Sequence, residues 1–218
     1  MSAVDESRRV CLTFDNGPTP GITDRVLDIL GERGVPATFF VVGNRLERPA
    51  GRRLAERAVA DGHWIGNHGL THTRPLGLLD DASAVREISE TERLMAGLAH
   101  PDRLFRPFAT GGAIDERLFS TAAIDHLLRG GYTCVLWNSV PYDWDEPNGW
   151  VARGLNDVGI HDHTVVVVHD VDTGAMEHLE DFLDSLDALG AEVTQDYPED
   201  CVPIRRGEKT DSFPLISL

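Results

Sequence analysis

The sequence predicts an α/β fold built mainly from parallel strands, and three patterns support this prediction. Short apolar runs rich in β-branched residues alternate with amphipathic stretches along the whole chain, which is typical of parallel strands joined by helical crossovers. The run Val165–Val168 is apolar at four successive positions, as expected for a strand that is covered on both faces. No internal repeat, low-complexity segment or linker interrupts the alternation.

The apolar runs indicate seven strands, and the stretches between them have apolar residues at helical spacing. In the first helix, Val26, Ile29 and Leu30 form an apolar stripe, Thr23 is suited to cap the start, and Gly34 follows the end. Periodicity alone does not choose between a closed barrel and an open sheet. The predicted strands are Val10–Phe14, Ala37–Val42, His63–Asn67, Leu104–Arg106, Tyr132–Trp137, Thr164–His169 and Ala191–Thr194. The predicted helices are Thr23–Arg33, Ala50–Asp61, Asp80–Ala99, Glu116–Arg129, Gly149–Val158 and Met176–Leu189.

The length of 218 residues suits one domain with a sizeable core. We therefore expect a single domain over residues 1–218, with its core at about 9–195. The segment 196–218 carries Pro198, Pro203 and Pro214, so it is predicted to be an irregular tail that wraps over the domain.

The net charge of -16 restricts the classes of partner. Nucleic acids and anionic membranes are polyanions that attract lysine and arginine, so neither is expected to bind. Lys209 is the only lysine. A small-molecule substrate, a carbohydrate or an amide, fits this composition better, and the sequence shows no stripe that would indicate an oligomer.

The cysteine pattern and the first residues indicate the cytoplasm. Cys11, Cys134 and Cys201 are far apart and form no CxxC pair, so we expect no disulfide framework. Cys11 and Cys134 lie in apolar runs and are predicted to be buried, unreactive thiols. The N-terminal sequence has no apolar signal core, and no apolar stretch approaches the ~20 residues that span a bilayer.

Polar residues follow the predicted strands at several separate points of the sequence. In parallel α/β folds the carboxyl ends of the strands share one rim, and active sites lie at that rim. A chance placement explains any single residue, but we expect the set to converge on one cleft. The set comprises Asp15 and Asn16, His68 and His72, Arg106, Asp143, and His169 with Asp170.

Two of these segments have a chemical interpretation of their own. His68 and His72 are four residues apart, so in a helical turn their imidazoles face the same way and suit Zn²⁺, Co²⁺ or Ni²⁺. The alternative is a pair of surface histidines beside a loop. Asp15 and Asn16 precede a Gly-Pro pair, which indicates either an ordinary Asx turn or a turn that presents a general base.

Five motifs together resemble the polysaccharide deacetylase family, also called NodB-homology or carbohydrate esterase family 4. They occur in order over about residues 9–195, and an ordered set is more specific than any one motif. The motifs are Thr13–Pro18 (TFDNGP), Gly66–His72 (GNHGLTH), Phe105–Phe108 (FRPF), Trp137 with Asp143-Trp144, and Val168–Asp170 (VHD), and a similar strand, Ala37–Gly43 (ATFFVVG), lies between the first two. The resemblance implies a single distorted (β/α) barrel with about seven parallel strands.

The resemblance also implies catalytic roles at matching positions. Asp15 would be the general base, oriented by Arg106, and His169 would be the general acid, paired with Asp143. The backbone at Ala109, after Pro107, would donate to the oxyanion. These roles fit amide hydrolysis, since an amine leaves poorly unless it is protonated.

The family's metal ligands correspond to His68, His72 and Asn16. Family members carry aspartate where this chain has Asn16, and an amide offers only a neutral oxygen, so we expect a divalent metal, Zn²⁺ before Co²⁺ or Ni²⁺, to be held more weakly. Phe108, Trp137 and Trp144 would line the acyl pocket or stack on a sugar, although core packing explains single aromatic residues equally well.

The expected reaction is deacetylation of an N-acetylated sugar or oligosaccharide. Because Asn16 departs from the family's metal motif, the alternative is a hydrolase of a small cyclic amide or ureide, allantoinase-like or cyclic-imidase-like, that depends little on metal. A third possibility is a carbohydrate-binding module without activity, for which Asp15, Arg106, Asp143 and His169 would serve no purpose.

Overall fold

The computed structural model describes residues 8–217, which form one curled sheet with helices packed around it. The strands are β1 (Arg9–Asp15), β2 (Thr38–Val41), β3 (Trp64–Asn67), β4 (Leu104–Phe105), β5 (Thr133–Cys134), β6 (His163–His169), β7 (Glu192–Val193), β8 (Ile204–Arg205) and β9 (Glu208–Lys209). The helices are α1 (Ile22–Arg33), α2 (Gly43–Leu46), α3 (Pro49–Ala60), α4 (Asp81–Leu94), α5 (Thr121–Arg129), α6 (Trp150–Ile160) and α7 (Leu179–Ala188).

Seven strands make the parallel part of the sheet, in the order β6-β1-β2-β3-β4-β5 with β7 pairing to β1. The two ends of this series meet at Ser139, after β5, which pairs in parallel with Val166 of β6. The Ser139 amide donates to the Val165 carbonyl at 3.2 Å, and the Val167 amide donates to the Ser139 carbonyl at 3.0 Å. The sheet therefore closes on itself, which confirms the distorted (β/α) barrel.

The side chains of β1 and β6 alternate between two faces, as in any strand. Val10 and Phe14 pack into the core cluster that contains the apolar faces of α1, α6 and α7. Cys11 belongs to the other cluster, on the opposite face. Asp15 lies four residues after Cys11 and so shares its face, and it pairs in register with His169. The strand period thus brings Asp15 and His169 to the same rim.

The first helix is confirmed, although its cap differs from the prediction. Gly21 is the N-cap, and Gly34 ends the helix with a left-handed backbone at φ 63°. Thr23 lies inside α1, fully buried. Its hydroxyl accepts from the Thr19 amide at 2.7 Å and donates to the Asp170 carboxyl at 2.5 Å. The sequence predicted Thr23 as the cap at the start of α1. In the structure its hydroxyl instead links α1 to Asp170 at the rim of the barrel.

Other boundaries differ where local capping overrides the apolar pattern. The helix expected over 116–129 begins only at Thr121, because the Ser120 side chain accepts from the Ala123 amide and caps it. The helix expected over 80–99 ends at Leu94. Helix α2 is a single turn, too short for a periodic pattern to reveal.

The tail wraps over the barrel, as the sequence predicts, but it is more regular than expected. Strand β8 pairs antiparallel with β5 at Ile204 and Cys134, and β8 and β9 form a short hairpin. Val202 and Ile204 are fully buried, and Ile216 is nearly so. The tail therefore extends the sheet and contributes to the core, despite its prolines.

The three cysteines are all buried and unpaired. Burial raises the pKa of the Cys11 thiol to about 12 and the pKa of Cys134 still further. The predicted burial of Cys11 and Cys134 is confirmed, and the raised pKa values support the prediction that these thiols are unreactive. Within residues 8–217, no helix has the length and apolar character needed to cross a bilayer.

Candidate active site

A cavity of about 320 Å³, the reaction cavity, opens at the carboxyl rim of the barrel. Its size is in the range of small-molecule sites. The predicted residues that line it are Asp15, Asn16, His68, His72, Phe108, Ala109, Trp137, Trp144 and His169. Arg106 and Asp143 lie directly behind this wall, each fully buried.

Asp15 ends β1, and its carboxylate is held by Arg106. The Arg106 Nη1 donates to Asp15 Oδ1 at 3.0 Å and to the Thr13 hydroxyl at 2.6 Å. Burial by itself would raise the pKa of Asp15, but the positive charge of Arg106, helped by His169, outweighs it and lowers the pKa below its ordinary 3.8. Asp15 is therefore ionised at neutral pH, as a base must be.

Arg106 is a fully buried cation, and it has the partners that such a group needs. Besides Asp15, it donates to the carbonyls of Val135 and Leu136, each at 3.2 Å. Its guanidinium lies 4.0 Å from the centre of the Phe40 ring. These contacts fix the guanidinium in one position, so the Asp15 carboxylate has one orientation.

His169 ends β6 and forms a buried pair with Asp143, as predicted. Its Nδ1 lies 2.8 Å from Asp143 Oδ1, and its backbone amide donates to Asp143 Oδ2, also at 2.8 Å. Burial alone would lower the pKa of His169, but the hydrogen bond and negative charge of Asp143, with a further contribution from Asp15, raise it above the ordinary 6.5. The imidazolium is thus favoured near neutral pH, and Nε2 is left as its free donor.

His68 and His72 lie side by side, with ring centres 4.9 Å apart, but the segment between them is a loop and not the helical turn that their spacing suggested. His72 has a left-handed backbone at φ 52°. The Nδ1 of His68 lies 2.9 Å from the Arg106 carbonyl, which can only accept, so Nδ1 carries the proton and Nε2 keeps its lone pair.

Both rings are neutral. Burial lowers the pKa of His68 below 6.5 and lowers that of His72 to about 3. The 3.6 Å contact between His68 Nε2 and Asp15 Oδ2 is therefore not an ion pair. Two neutral imidazoles side by side have the protonation state that metal ligation requires.

Aromatic residues and glycines form the remaining wall. The Phe108 ring packs on His72, with centres 4.0 Å apart, and the Trp144 ring meets His169 edge-on at 5.0 Å. Trp137 is almost buried, and its indole N–H donates to the Gly112 carbonyl at 3.0 Å. Trp144 is 37% exposed at the mouth. Trp137 is thus fixed in the wall, whereas Trp144 is free to contact a ligand.

Comparison with known proteins agrees with this geometry. The family model for polysaccharide deacetylase matches residues 3–129, more than half of the chain. The chain belongs to the polysaccharide deacetylase family. The chitooligosaccharide deacetylase of Sinorhizobium fredii (strain NBRC 101917 / NGR234) is 33% identical over 163 residues, which cover 74% of this chain and 71% of that protein. The chitooligosaccharide deacetylase of Rhizobium leguminosarum bv. trifolii is 34% identical over 145 residues, 66% of this chain and 63% of that protein.

A solved structure extends the similarity to the whole barrel. The family 4 acetyl xylan esterase from Clostridium thermocellum, in complex with a cobalt ion, superposes with a TM-score of 0.71 at 28% identity. The match covers 86% of this chain and 87% of that one. The fold of this polysaccharide deacetylase is therefore that of carbohydrate esterase family 4.

The side chains of His68, His72 and Asn16 together fit a divalent metal. They fit it less well than a site in which all three ligands are imidazoles or carboxylates. Across residues 8–217, no group of three or more His, Cys, Asp or Glu side chains is arranged to hold an ion. His68 and His72 are joined on the cavity wall by Asn16, whose Oδ1 is buried without a hydrogen-bond partner in this part of the chain. A buried, unpaired acceptor is costly, so this oxygen fits the role of a metal ligand.

Glu87 on α4 is a positioning residue that the sequence analysis did not identify. Its carboxylate accepts from the amides of Leu70 and Thr71, each at 2.8 Å, and from the Thr71 hydroxyl at 2.8 Å. It thereby holds the loop that carries His72. Glu87 lies 15 residues after His72 on a separate helix, and no local pattern links the two.

Asp170 supports the Asp15–Pro18 turn from behind. It is fully buried, and a side chain at Gly17 would lie about 2.0 Å from its Oδ2. Burial raises the pKa of Asp170 to about 7. The sequence placed Asp170 at the rim, and the structure shows that it packs beneath the turn and does not line the reaction cavity.

Proposed function

We propose that this protein hydrolyses the N-acetyl group of an amino sugar or short oligosaccharide, releasing acetate and a free amine. The observation that carries the proposal is the pair Asp15 and His169, which line one cavity with opposite shifts of pKa. A carboxylate and an imidazolium facing the same space supply the base and the acid that amide hydrolysis needs. The named relatives are deacetylases of chitooligosaccharides, which supports the sugar as substrate.

Asp15 is the general base. Its Oδ1 is occupied by Arg106, so Oδ2, on the His68 side, is the oxygen free to accept a proton from the attacking water. Arg106 keeps the carboxylate ionised and oriented. A divalent ion held by His68, His72 and Asn16 would polarise the amide carbonyl and lower the pKa of water.

His169 is the general acid. Asp143 holds Nδ1, so the proton on Nε2 is the one available to the leaving nitrogen. Protonation of that nitrogen allows the C–N bond to break with an amine, and not an amide anion, as the leaving group.

Backbone donors at the cavity wall would stabilise the tetrahedral intermediate. Ala109 lines the cavity in an extended conformation, and no hydrogen bond from its amide is found within residues 8–217. A free amide beside the reacting carbonyl is the donor an oxyanion requires. The Phe108 and Trp137 side chains would enclose the acetyl group, and Trp144 would pack on the sugar.

A second candidate function is hydrolysis of a small cyclic amide or ureide with little dependence on metal. Asn16 favours it, because an amide in place of the family's carboxylate weakens the ion site. Both reactions would use Asp15 and His169 in the same roles. They differ in product, since a cyclic amide opens to a single molecule and releases no acetate.

Incubation with N-acetylglucosamine oligomers and with cyclic amides, with and without added Zn²⁺ or Co²⁺, separates these functions. Acetate together with a free amine from the sugars supports the main proposal. Ring opening without acetate, unaffected by chelator, supports the second. Sugar binding without any product would mean a binding module and would contradict both.

Asn16→Asp tests the metal site directly. Chelator-treated, reloaded wild-type protein is expected to hold about one equivalent of Zn²⁺, and the variant to bind it about tenfold more tightly or better, because a carboxylate replaces a neutral oxygen. Calorimetric titration measures both quantities without reference to activity. Asn156→Asp, a change of the same kind at an exposed position of helix α6, is the control. Absence of Zn²⁺ from wild type and variant alike would end the metal proposal.

A cytoplasmic location stays a prediction from the sequence, and fractionation of cells that produce the protein would test it.

A further inference from the structure

A second cavity, of about 860 Å³, adjoins the reaction cavity and has no part in the proposed mechanism. Asn16 and His72 line both cavities, so the two spaces are continuous at the centre of the rim. The other walls come from the segment after β2, from the loop that carries His72 and from Val171 after β6. The remaining lining residues are Val42, Asn44, Arg45, Glu47, Arg48, Thr71 and Val171.

Two guanidinium groups, those of Arg45 and Arg48, line this second cavity. Neither Arg45 nor Arg48 forms an ion pair with another described residue, 8–217, whereas Arg52 and Arg57 on helix α3 are paired with carboxylates. Arg45 is half-buried, and its Nη1 donates to the Thr19 hydroxyl at 3.2 Å, which anchors it. Arg48 is exposed. Most of the donors on both side chains are therefore available to a ligand.

The acidic groups nearby do not cancel this charge. Glu47 is the only carboxylate among the lining residues, so the wall carries two positive charges and one negative. Asp170 interacts with Arg45 electrostatically but is fully buried and does not line the cavity. The chain as a whole has a net charge of -16. This wall beside the reaction cavity has the opposite sign.

We propose that this second cavity binds a negatively charged group, a carboxylate or a phosphate, that the substrate carries beside its N-acetyl sugar. Arg45 and Arg48 would hold the anion through charge-assisted hydrogen bonds, and Asn44 and Thr71 would contact neighbouring hydroxyls. The proposal rests on the proposed function, since it assumes that the reaction cavity takes the acetyl group. It narrows the substrate class to acidic N-acetyl sugars.

Binding measurements on matched sugars test the proposal. The probes are N-acetylglucosamine, N-acetylmuramic acid and N-acetylglucosamine 6-phosphate, which are neutral, carboxylated and phosphorylated. We expect one or both anionic sugars to bind wild-type protein about tenfold more tightly than the neutral sugar. We expect this preference to shrink with added salt, because the guanidinium groups are partly exposed.

Substitution then locates the site. Arg48→Gln and Arg45→Gln should each remove most of the preference for the anionic sugar. Arg53→Gln removes the same charge from an exposed position on helix α3 outside the cavity, and it should keep the preference. Loss of the preference in Arg53→Gln as well would mean that only overall charge matters, and would overturn the assignment.

The outcomes separate the subsite from the catalytic proposal. A preference for the carboxylated sugar alone or the phosphorylated sugar alone supports the subsite and identifies its anion. Equal binding of all three sugars overturns the subsite and leaves deacetylation intact if acetate is released. An Arg48-dependent preference without acetate release supports the subsite and contradicts the proposed function.

Discussion

At the scale of single residues, the Asp15 carboxylate is the group on which catalysis most directly depends. Asp15→Asn keeps an oxygen that can accept from Arg106 but removes the base, so we expect turnover to fall by about 10²-fold or more. Acetate release under saturating substrate measures this. Because the change also removes the counter-charge of a buried guanidinium, a thermal melt should accompany it. A folded variant with near-normal turnover would remove Asp15 from the role of base.

Asp143 sets the pH range in which His169 can donate its proton. The raised pKa of His169 means that activity should decline as the pH rises above the ordinary value of 6.5, when the acid form is lost. Asp143→Asn removes the charge that favours the imidazolium, so the decline should begin at lower pH, and turnover at pH 8 should fall about tenfold or more. Rate profiles against pH measure the shift. Asp145→Asn, an exposed change in the same loop, should leave the profile in place.

At the scale of elements, Asp170 joins the end of β6 to α1 and to the turn after β1. Its pKa is 3.8 ordinarily and about 7 in the fold. The folded state therefore holds a proton that the unfolded chain releases between these values. The stabilising contribution is complete below pH 3.8 and is lost as the pH rises through about 7.

Asp170→Asn should remove that pH dependence, since the amide can still accept from Thr23. Raising the pH from 5 to 8 should lower the free energy of unfolding of wild type more than that of the variant. The two losses should differ by about 1 kcal/mol or more. Denaturant titrations at the two pH values measure it. Asp172→Asn, an exposed change two residues on, is the control and should behave like wild type. Parallel behaviour of Asp170→Asn and wild type would contradict the shift.

Several element boundaries depended on contacts that the sequence does not reveal. The apolar stripe of α1 was sufficient to predict that helix, but Thr23 is bound to Asp170, 147 residues away. The spacing of His68 and His72 suggested a helical turn, yet Glu87 holds that segment as a loop. In each case a long-range hydrogen bond outweighs a local preference of a few tenths of a kcal/mol per residue.

At the scale of the whole molecule, the tail packs on the barrel and forms part of its core. Ile204 in β8 is fully buried, whereas Leu215 is 50% exposed. Ile204→Ala should lower the free energy of unfolding by about 2–5 kcal/mol through lost burial and a residual cavity, and Leu215→Ala should change it by less than about 0.5 kcal/mol. Chemical denaturation measures both. Equal effects would mean that the tail is not part of the core.

The sequence by itself determined the seven parallel strands, the order of the motifs and the residues at the strand ends, because strand and helix periods and turn chemistry are local properties. Only the tertiary structure decided that Glu87 positions His72 and that Asp170 packs beneath Gly17. It also decided that Arg45 and Arg48 border the reaction cavity. These contacts join distant segments, and their strength comes from burial and charge in a closed barrel, which exist only once the sheet has curled.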